Sequence, residues 1–540
     1  MSRKTVGETL VDLLAARGVE IVFGIPGVHT VELYRGLAAS TIRHVTPRHE
    51  GSAGFMADGY ARVSGKPGVC FLITGPGLTN AITAMAQARA DSVPMLVISG
   101  VNRRATLGHE EGHLHELPDQ AGMLRTVALH SHTLLNGADL GAVLDRAFAA
   151  MLSARPGPVH IEIPIDVMSE RIDPPGRRAA LPGLPAPSEA ALEAAAALIA
   201  PARQPVILAG GGAKRADAAL RAFAVQIDAP VVTTVNGRGL LAGHPLGVPA
   251  SPSLGPVRDL IAGADLVIAV GTQIGPTDYD MYGDGGFPAL KRLIRIDADP
   301  VQVTRGARAE AVIVADAGMA LAALAPRVGP TRPPGDGVTR AAATRTAAFA
   351  ALGPKMQREV AVLRTITEVL PGATIVGDST QLVYAGNLYS EIARPGAWFN
   401  AATGFGALGY GPPAAIGAAL GDPGRGTVVC LVGDGGFQFC LAELGTAMDE
   451  AARVIFLVWN NRGYGEIAQY MIDKAIMPVG VTPSAPDFTM IAGAYGMAAE
   501  ALHGTAGLAD ALRRATDAAG PRLIEIRCPD RDPCGSSQKS

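Results

Sequence analysis

Short runs of consecutive apolar residues alternate with alanine-rich helical patterns along nearly the whole chain, and this alternation limits the possible folds severely. In one stretch the apolar run Val69–Ile73 is followed by a helical pattern over Thr79–Arg89 and then by a second apolar run over Pro94–Ser99. Strands that are apolar on both faces need helices on both sides of the sheet. The sequence therefore predicts an α/β fold made of doubly wound parallel sheets.

Two segments that are rich in proline and glycine interrupt this alternation. They are Asp173–Ser188 and Pro326–Gly337, and neither has apolar periodicity, which is typical of linkers. We therefore predict three doubly wound domains, over residues 1–172, 189–325 and 338–540. A chain of 540 residues fits three domains of about 100–200 residues each.

The composition excludes some classes of function. Only 18% of residues are charged and the formal net charge is −3, whereas a nucleic-acid-binding protein usually has a concentrated basic excess. The first residues lack the apolar core of a secretory signal, and no apolar run reaches the roughly 18 residues that a membrane span needs. We expect a cytoplasmic protein with neither nucleic acid nor membrane as a partner.

Polar turns follow two successive apolar strands in the last third of the chain. Thr427–Val432 leads into Gly433, Asp434, Gly435 and Gly436, and Val454–Trp459 leads into Asn460, Asn461, Arg462 and Gly463. A helix over about Gln438–Glu450 is predicted between them. A right-handed crossover puts both strand ends at the same edge of the sheet, so Asp434 and Asn461 should converge.

Hard oxygen ligands of this kind suit Mg2+. The glycines would let the backbone approach a diphosphate and donate N–H groups to it at a helix start. Each turn alone is better explained as a tight connection, and the paired arrangement is what favours a site. A second GDGGF copy at Gly283–Phe287 follows no strand, and we predict that it is a loop.

The GDGGF…NN pattern resembles the thiamine diphosphate motif shared by acetolactate synthases, pyruvate decarboxylases and their relatives. The resemblance covers nearly the whole chain, in the order pyrimidine-binding, central and diphosphate-binding domain. It implies thiamine diphosphate and Mg2+ as cofactors. It also implies that Asp434, the Asn461 side chain and the Gly463 carbonyl hold the metal.

Glu50 lies in RHEGSAGFMADGYARVSGKPGV, a segment of the first domain that is similar to one in this family. The resemblance implies that its carboxyl group gives a proton to the aminopyrimidine ring nitrogen and so activates the cofactor. On its own, Glu50 is equally well explained as a first-turn residue that stabilises a helix dipole. In the family this glutamate and the diphosphate domain come from different subunits, which implies a homodimer or homotetramer with the active site at the subunit interface.

Two further segments match the family. In GFGALGYG, the resemblance implies that Leu408 wedges between the two cofactor rings and that the Gly406 carbonyl accepts the aminopyrimidine N–H. Gln381, in GDSTQ, is similar to a glutamine that contacts the diphosphate. The competing explanations are a core leucine for Leu408 and a surface glutamine for Gln381.

Two other motifs are discounted. His109–His113 spells HExxH, but Gly112 and the nearby Pro118 disfavour the helix that such a zinc site needs. The triple glycine from Gly210 follows a strand but lacks dinucleotide-site spacing. Acetolactate synthases carry an Arg/Asp-rich segment in the central domain, where this chain has GTQIGPT, and FAD is therefore doubtful.

The substrate pocket departs from acetolactate synthases. They have Phe-Gln-Glu where this chain has Leu114, His115 and Glu116, and beyond the NN motif they have an apolar residue and a tryptophan where it has Glu466 and Tyr470. A carboxylate near the reaction centre suits a substrate with a cationic tail. The alternative is that Glu466 points into solvent.

The first domain, with GIPGVHTVELYRGL and GHLHE, is similar to that of 5-guanidino-2-oxopentanoate decarboxylases. This likeness adds Val28, His29 and His115 to the candidate substrate residues. The predicted function is non-oxidative decarboxylation of a 2-oxo acid, and the alternatives are an acetolactate-synthase-like carboligase and, more remotely, a non-catalytic cofactor-binding relative. The particular 2-oxo acid, the choice between decarboxylation and carboligation, and dimer against tetramer are left open.

Overall fold

A computed structural model of the protein describes residues 3–173, 176, 178–279, 286–517 and 519–528. Its strands form three six-stranded sheets and one short antiparallel pair. In each large sheet the strands run parallel and alternate along the chain with helices, which confirms the predicted α/β doubly wound class. Among the described residues, no helix combines the length and the apolar character that crossing a membrane requires.

The first sheet has the order β3-β2-β4-β5-β7-β6. Its strands are β2 Ile21–Gly24, β3 Arg43–Val45, β4 Gly68–Leu72, β5 Met95–Val101, β6 His130–Thr133 and β7 Pro158–Pro164. The accompanying helices are α1 Val6–Ala15, α2 Val31–Ala38, α3 Glu50–Ser64, α4 Pro76–Ala90, α5 Gln120–Leu124, α6 Leu140–Leu152 and α7 Ile165–Met168. The short strands β1 Lys4–Thr5 and β8 Arg171–Ile172 pair antiparallel.

The second sheet has the order β11-β10-β9-β12-β13-β14. Its strands are β9 Pro205–Ala209, β10 Val231–Thr233, β11 Gly247–Val248, β12 Leu266–Val270, β13 Leu293–Asp297 and β14 Ala311–Val314. The helices in this part are α8 Glu189–Ile199, α9 Asp217–Ile227, α10 Gly255–Gly263, α11 Pro276–Tyr279 and α12 Ala317–Leu324, and the long helices α13 Gly337–Ala351 and α14 Gly353–Val369 come next in the chain.

The third sheet contains β15 Thr374–Gly377, β16 Trp398–Asn400, β17 Val428–Gly433, β18 Val454–Asn460, β19 Ala499–His503 and β20 Arg522–Arg527. The helices of this region are α15 Gln381–Leu388, α16 Gly411–Gly421, α17 Asp434–Phe437, α18 Glu443–Asp449, α19 Gly465–Asp473, α20 Phe488–Ala494 and α21 Leu508–Thr516. The helix predicted over Gln438–Glu450 is wrong in its bounds: a single turn, α17, begins at Asp434 itself, and α18 follows after a break.

The described residues divide into two compact units. The first holds those within Met1–Gly183, Gly404–Gly507 and Arg514–Ser540, and the second holds those within Leu184–Thr403 and Leu508–Arg513. The first and third predicted domains thus both contribute to one unit, and the three predicted domain bounds stay a prediction.

Inside the first unit, α3 packs closely against α16. A methyl group on Gly59 would overlap the Ala414 carbonyl, and one on Gly417 would overlap the Met56 carbonyl. The backbones approach so closely that no side chain fits at either position. This contact joins the helix that begins at Glu50 to the C-terminal part of the chain.

Candidate functional site

The turn after β17 and the turn after β18 lie at one edge of the third sheet. The two strands are parallel and in register, with Gly433 opposite Trp459. The Asn461 backbone N–H points at Asp434 Oδ1, at 3.4 Å between the heavy atoms. The structure therefore brings Asp434 and Asn461 together, as the crossover argument predicted.

Asp434 is the first residue of α17, and its carboxylate is shielded from solvent, because the residue is only 1% exposed. Burial raises the pKa of Asp434 to about 6, although backbone N–H groups of Asn461, Gly463 and Gly435 act in the opposite direction. A buried carboxylate of this kind is stabilised in its charged form by a nearby cation.

The donor set of this edge fits Mg2+, since it offers the Asp434 carboxylate, the Asn461 amide and the Gly463 carbonyl. Within the described part of the chain, no group of three or more His, Cys, Asp or Glu side chains is arranged to hold a metal ion. One carboxylate with neutral oxygens leaves positions that water and phosphate oxygens would fill. Such a site is typical of Mg2+ bound together with a diphosphate.

The glycines of these turns are packed tightly. A methyl group on Gly435 would lie 2.5 Å from Tyr464 Cε1, and one on Gly463 would overlap the Val481 carbonyl. Gly463 also has φ of +142°, a conformation that favours glycine. At Gly435 and Gly463 the backbone therefore lies close to neighbouring groups, and neither position has room for a side chain.

Glu50 is the first residue of α3 and is half-buried. Its Oε2 accepts a hydrogen bond from Asn80 Nδ2 at 2.9 Å. Sequence reasoning missed Asn80, although the GPG turn after β4, which precedes it, marks another strand end of the same kind.

The loop Gly404–Tyr410 alternates between buried and accessible residues. Ala407 and Tyr410 are buried, whereas Gly406 is exposed and Leu408 is half-buried. Gly406 has φ of +75° and open space beside its Cα, so its backbone is accessible to a ligand. The candidate residues Gly406 and Leu408 thus lie at the accessible positions of this loop.

Gln381 lies in the second unit, where it is the first residue of α15. It follows the turn Asp378-Ser379-Thr380 after β15, which is again a strand end. Asp378 is fully buried, and its Oδ1 accepts from the Ser379 N–H at 2.8 Å. The placement agrees with a strand-end site, and the proposed contact of Gln381 with a diphosphate stays a prediction.

Two histidines among the candidate substrate residues meet at the edge of the first sheet. The rings of His29 and His115 lie 5.4 Å apart, edge to face, and His29 Nδ1 is 2.9 Å from Thr74 Oγ1. Burial, and secondarily the nearby His115, lowers the pKa of His29. Val28, next to this pair, is 64% exposed.

His115 is held in a left-handed backbone conformation, with φ of +60°. The following residue, Glu116, accepts hydrogen bonds from the backbone N–H groups of Glu110, Gly112 and His113 at 2.8–3.0 Å. Glu116 therefore shapes the loop that presents His115. The HExxH sequence lies in this loop and is not helical, as predicted.

Glu466 and Tyr470 lie on one face of α19, one turn apart. Glu466 is half-buried, and Tyr470 is exposed with Lys474 Nζ 5.6 Å from its ring centroid. The described contacts do not bring either residue to the His29–His115 pair. Their roles toward a substrate stay predictions.

The triple glycine after β9 serves packing. Methyl groups on Gly210 and Gly212 would meet the backbone of Gly271, the first of them overlapping its carbonyl. The close approach of the Gly271 backbone accounts for glycine at positions 210 and 212. The second GDGGF copy at Gly283–Phe287 lies largely outside the described residues.

Comparison with known protein families gives three matches along the chain. The N-terminal TPP binding domain of thiamine pyrophosphate enzymes matches residues 4–123, the central domain of these enzymes matches 192–324, and their C-terminal TPP binding domain matches 378–526. These regions contain Glu50, the triple glycine, and Asp434 with Asn461, respectively.

Individual relatives extend the likeness over the full length. The chain is 45% identical to the probable 2-ketoarginine decarboxylase AruI of Pseudomonas aeruginosa, over 97% of this chain and 94% of the relative. It is 31% identical to the acetolactate synthase isozyme 1 large subunit of Escherichia coli, over 97% and 94%. An X-ray structure of a candidate thiamin diphosphate-dependent enzyme from Mycobacterium smegmatis matches with a TM-score of 0.83 at 26% identity, over 97% of this chain and 99% of that chain.

Proposed function

The chain belongs to the family of thiamine pyrophosphate enzymes, and on this premise we propose that it decarboxylates a 2-oxo acid with a cationic side chain, such as 5-guanidino-2-oxopentanoate. One observation carries the choice of substrate. The chain is 45% identical to a probable 2-ketoarginine decarboxylase, against 31% for an acetolactate synthase over the same share of its length.

The cofactor would bind at the edge of the third sheet where β17 and β18 end. Asp434, the Asn461 amide and the Gly463 carbonyl would bind Mg2+, with the backbone of Gly433, Gly435 and Gly436 beside the diphosphate. When bound, thiamine diphosphate supplies the nucleophilic carbon and the electron sink that decarboxylation of a 2-oxo acid requires. Gly406 and Leu408, accessible on their loop, would fix the orientation of its two rings.

Glu50 would hold the proton at the aminopyrimidine nitrogen. Its carboxylate is half-buried and oriented by Asn80, which suits a group that must keep one position while it exchanges a proton. Because this glutamate and the diphosphate domain come from different subunits in the family, the proposal places the complete site between two subunits. The protein would then be a homodimer or a homotetramer.

Glu466 would select the substrate by pairing with its cationic tail. A half-buried carboxylate binds a guanidinium through two parallel hydrogen bonds, and Tyr470 one turn later would cover the apolar part of the tail. His29 and His115 would face the other end of the substrate, where its carboxylate is.

The test is a panel of 2-oxo acids assayed with wild-type protein and with Glu466→Gln. The proposal has the bound substrate close the site to water around the half-buried Glu466. Removing one partner of an ion pair in such a closed site costs roughly 3–5 kcal/mol, so kcat/KM for 5-guanidino-2-oxopentanoate should fall on the order of 100-fold or more. Pyruvate turnover should change little. Asp473→Asn, at the far end of α19, is the matched control and should not alter the preference.

Wild-type protein that prefers pyruvate over every cationic 2-oxo acid would contradict this choice of substrate. The second candidate, an acetolactate-synthase-like carboligase, rests on the 31% identity to that enzyme. The two reactions share their early steps and differ in whether a proton or a second carbonyl compound ends them. Scoring CO2, aldehyde and acyloin separately distinguishes them, and a lack of CO2 from all substrates would favour a non-catalytic relative.

A further inference from the structure

A buried ion cluster lies beneath the loop Gly404–Tyr410. Arg62 Nε is 2.6 Å from Asp58 Oδ1, and Arg62 Nη2 is 2.6 Å from Asp91 Oδ2. All three side chains are at most 3% exposed. Asp58 and Arg62 belong to α3, the helix that begins at Glu50, and Asp91 follows α4 directly.

The cluster has two carboxylates and one guanidinium, so neutral hydrogen-bond donors are needed to complete the solvation of its negative charge. Two side chains supply them. The Tyr410 hydroxyl donates to Asp58 Oδ1 at 2.6 Å, and Gln87 Nε2 donates to Asp91 Oδ2 at 2.8 Å. Hydrogen bonds to charged groups are stronger than neutral ones, so both donors are held firmly.

The Asp91 carboxylate also fixes which way the Gln87 amide faces. A carboxylate only accepts, so the Gln87 NH2 must point toward Asp91 and its carbonyl must point away. On that other side, Gln87 Oε1 accepts from the Ala407 backbone N–H at 3.3 Å. Gln87 therefore connects the ion cluster to the middle of the loop, while Tyr410 connects it to the end.

These two connections coincide with the burial of the two residues that they hold. Ala407 and Tyr410, the anchored residues, are buried, and Gly406 and Leu408, which flank Ala407, are the accessible ones. The Tyr410 ring is further packed edge to face against Phe55, with centroids 5.3 Å apart. The anchor thus sets the positions from which the Gly406 carbonyl and the Leu408 side chain can reach a ligand.

We infer that Gln87 and Tyr410 are positioning residues, which hold Gly406 and Leu408 in the geometry that receives the cofactor rings by tying their loop to the Asp58–Arg62–Asp91 cluster. The inference rests on the proposed roles of Gly406 and Leu408. Loss of either anchor should leave the protein folded, free the loop, and weaken binding of thiamine diphosphate.

The experiment compares wild-type protein with Gln87→Met and Tyr410→Phe. Gln87→Met keeps the volume and removes both hydrogen bonds, and Tyr410→Phe removes only the hydroxyl and keeps the ring against Phe55. The control is Tyr60→Phe, a buried tyrosine of α3 whose hydroxyl lies 3.5 Å from Glu20 Oε2, away from the loop. The measurements are amide hydrogen exchange without cofactor and the Kd of thiamine diphosphate with Mg2+ by calorimetry.

In both variants the peptide containing Ala407 should exchange faster than in wild type, and Kd should rise about tenfold, the equivalent of one hydrogen bond to a charged group. Tyr60→Phe should change neither. If Gln87→Met does not fold, Tyr410→Phe decides by the same two measurements. Lowered melting temperatures with unchanged Kd and unchanged exchange at Ala407 would overturn the inference and leave a purely structural cluster. Wild-type protein that bound no thiamine diphosphate would contradict the proposed function, whereas exchange at Ala407 would still decide whether the anchor exists.

Discussion

Two turns in this chain look alike in sequence and differ in what they do. Gly210–Gly212 follows β9, and Gly433–Gly436 follows β17; both are glycine-rich and both end buried parallel strands. After β9, the space beside the glycines is filled by the backbone of Gly271. After β17, the turn contains a buried acid, Asp434, and the neighbouring strand end adds Asn461 at its side.

The difference shows that glycine at a strand end is not by itself evidence of a ligand. In both turns a side chain at one of the glycines, Gly210 or Gly435, would clash with neighbouring protein, so tight packing alone explains glycine at these positions. The distinguishing feature is a polar residue at each of two adjacent strand ends, with the Asn461 backbone N–H beside the buried Asp434 carboxylate. A nearby cation stabilises the charged form of such a carboxylate, which makes this turn the candidate metal site.

The largest expected effect is on the acid of the second turn. Asp434→Ala should abolish binding of thiamine diphosphate in the presence of Mg2+, because the variant lacks a direct ligand of the metal. Even the loss of a residue that only hydrogen-bonds to a metal ligand lowers metal affinity roughly 10–100-fold. Calorimetry of the purified variant measures this. Asp297→Ala, at the end of β13 in the second sheet, is the control and should bind the cofactor normally. Wild-type affinity in Asp434→Ala would remove the distinction between the two turns.

Glu50→Gln should separate binding from activation. The diphosphate end supplies most of the anchoring, so Kd should change little, but exchange of the C2 hydrogen of bound thiamine diphosphate should slow by roughly 100- to 10,000-fold. Deuterium exchange followed by NMR after acid quench measures the rate. Glu20→Gln, an exposed glutamate of the same sheet that pairs with Lys66, serves as the control. An exchange rate equal to that of wild type would assign the activation to another residue.

A pair of glycine substitutions tests the two turns directly. Gly210→Ala should destabilise the fold by about 1–3 kcal/mol, because the neighbouring backbone cannot move aside, and should leave cofactor affinity unchanged. In Gly435→Ala the new methyl group would press against the Tyr464 side chain, which can move, so the loss of stability should be smaller. The Kd of thiamine diphosphate should nevertheless rise about tenfold, because Gly435 lies in the proposed cofactor site. Chemical denaturation and calorimetry on both variants give the comparison. Equal effects of both substitutions on affinity would refute it.

The smallest expected effect is that of added FAD on the melting temperature. Because protein backbone fills the space beside Gly210 and Gly212, adding FAD to wild-type protein should not shift its melting temperature, whereas thiamine diphosphate with Mg2+ should raise it. A thermal-shift series over FAD concentration is sufficient. A concentration-dependent rise with FAD would mean that the turn after β9 opens to admit a nucleotide.

Much of the fold could be predicted because the buried strands are continuous apolar runs. β18 begins where predicted and ends one residue later, and β4 and β17 are each shifted by one residue from the predicted apolar runs. The strand Pro158–Pro164 was not predicted, although it is fully buried. The polar residues His160 and Glu162 interrupt its apolar pattern. Inside the fold their side chains are satisfied by hydrogen bonds with Ser99, Ser131, Thr133 and Gln120.

The sequence by itself determined the class of fold, the family resemblance and the pairing of Asp434 with Asn461, because these depend on local periodicity and on one short crossover. Only the tertiary structure decided that Asn80 orients Glu50, that Glu116 shapes the His115 loop, and that Gln87 and Tyr410 tie a distant loop to a buried ion cluster. The contacts of Glu116 depend on the fold of its own loop, whereas those of Gln87 and Tyr410 join residues more than 300 positions apart. Their partners are selected by how helices pack, and no spacing rule within a single sequence encodes that choice.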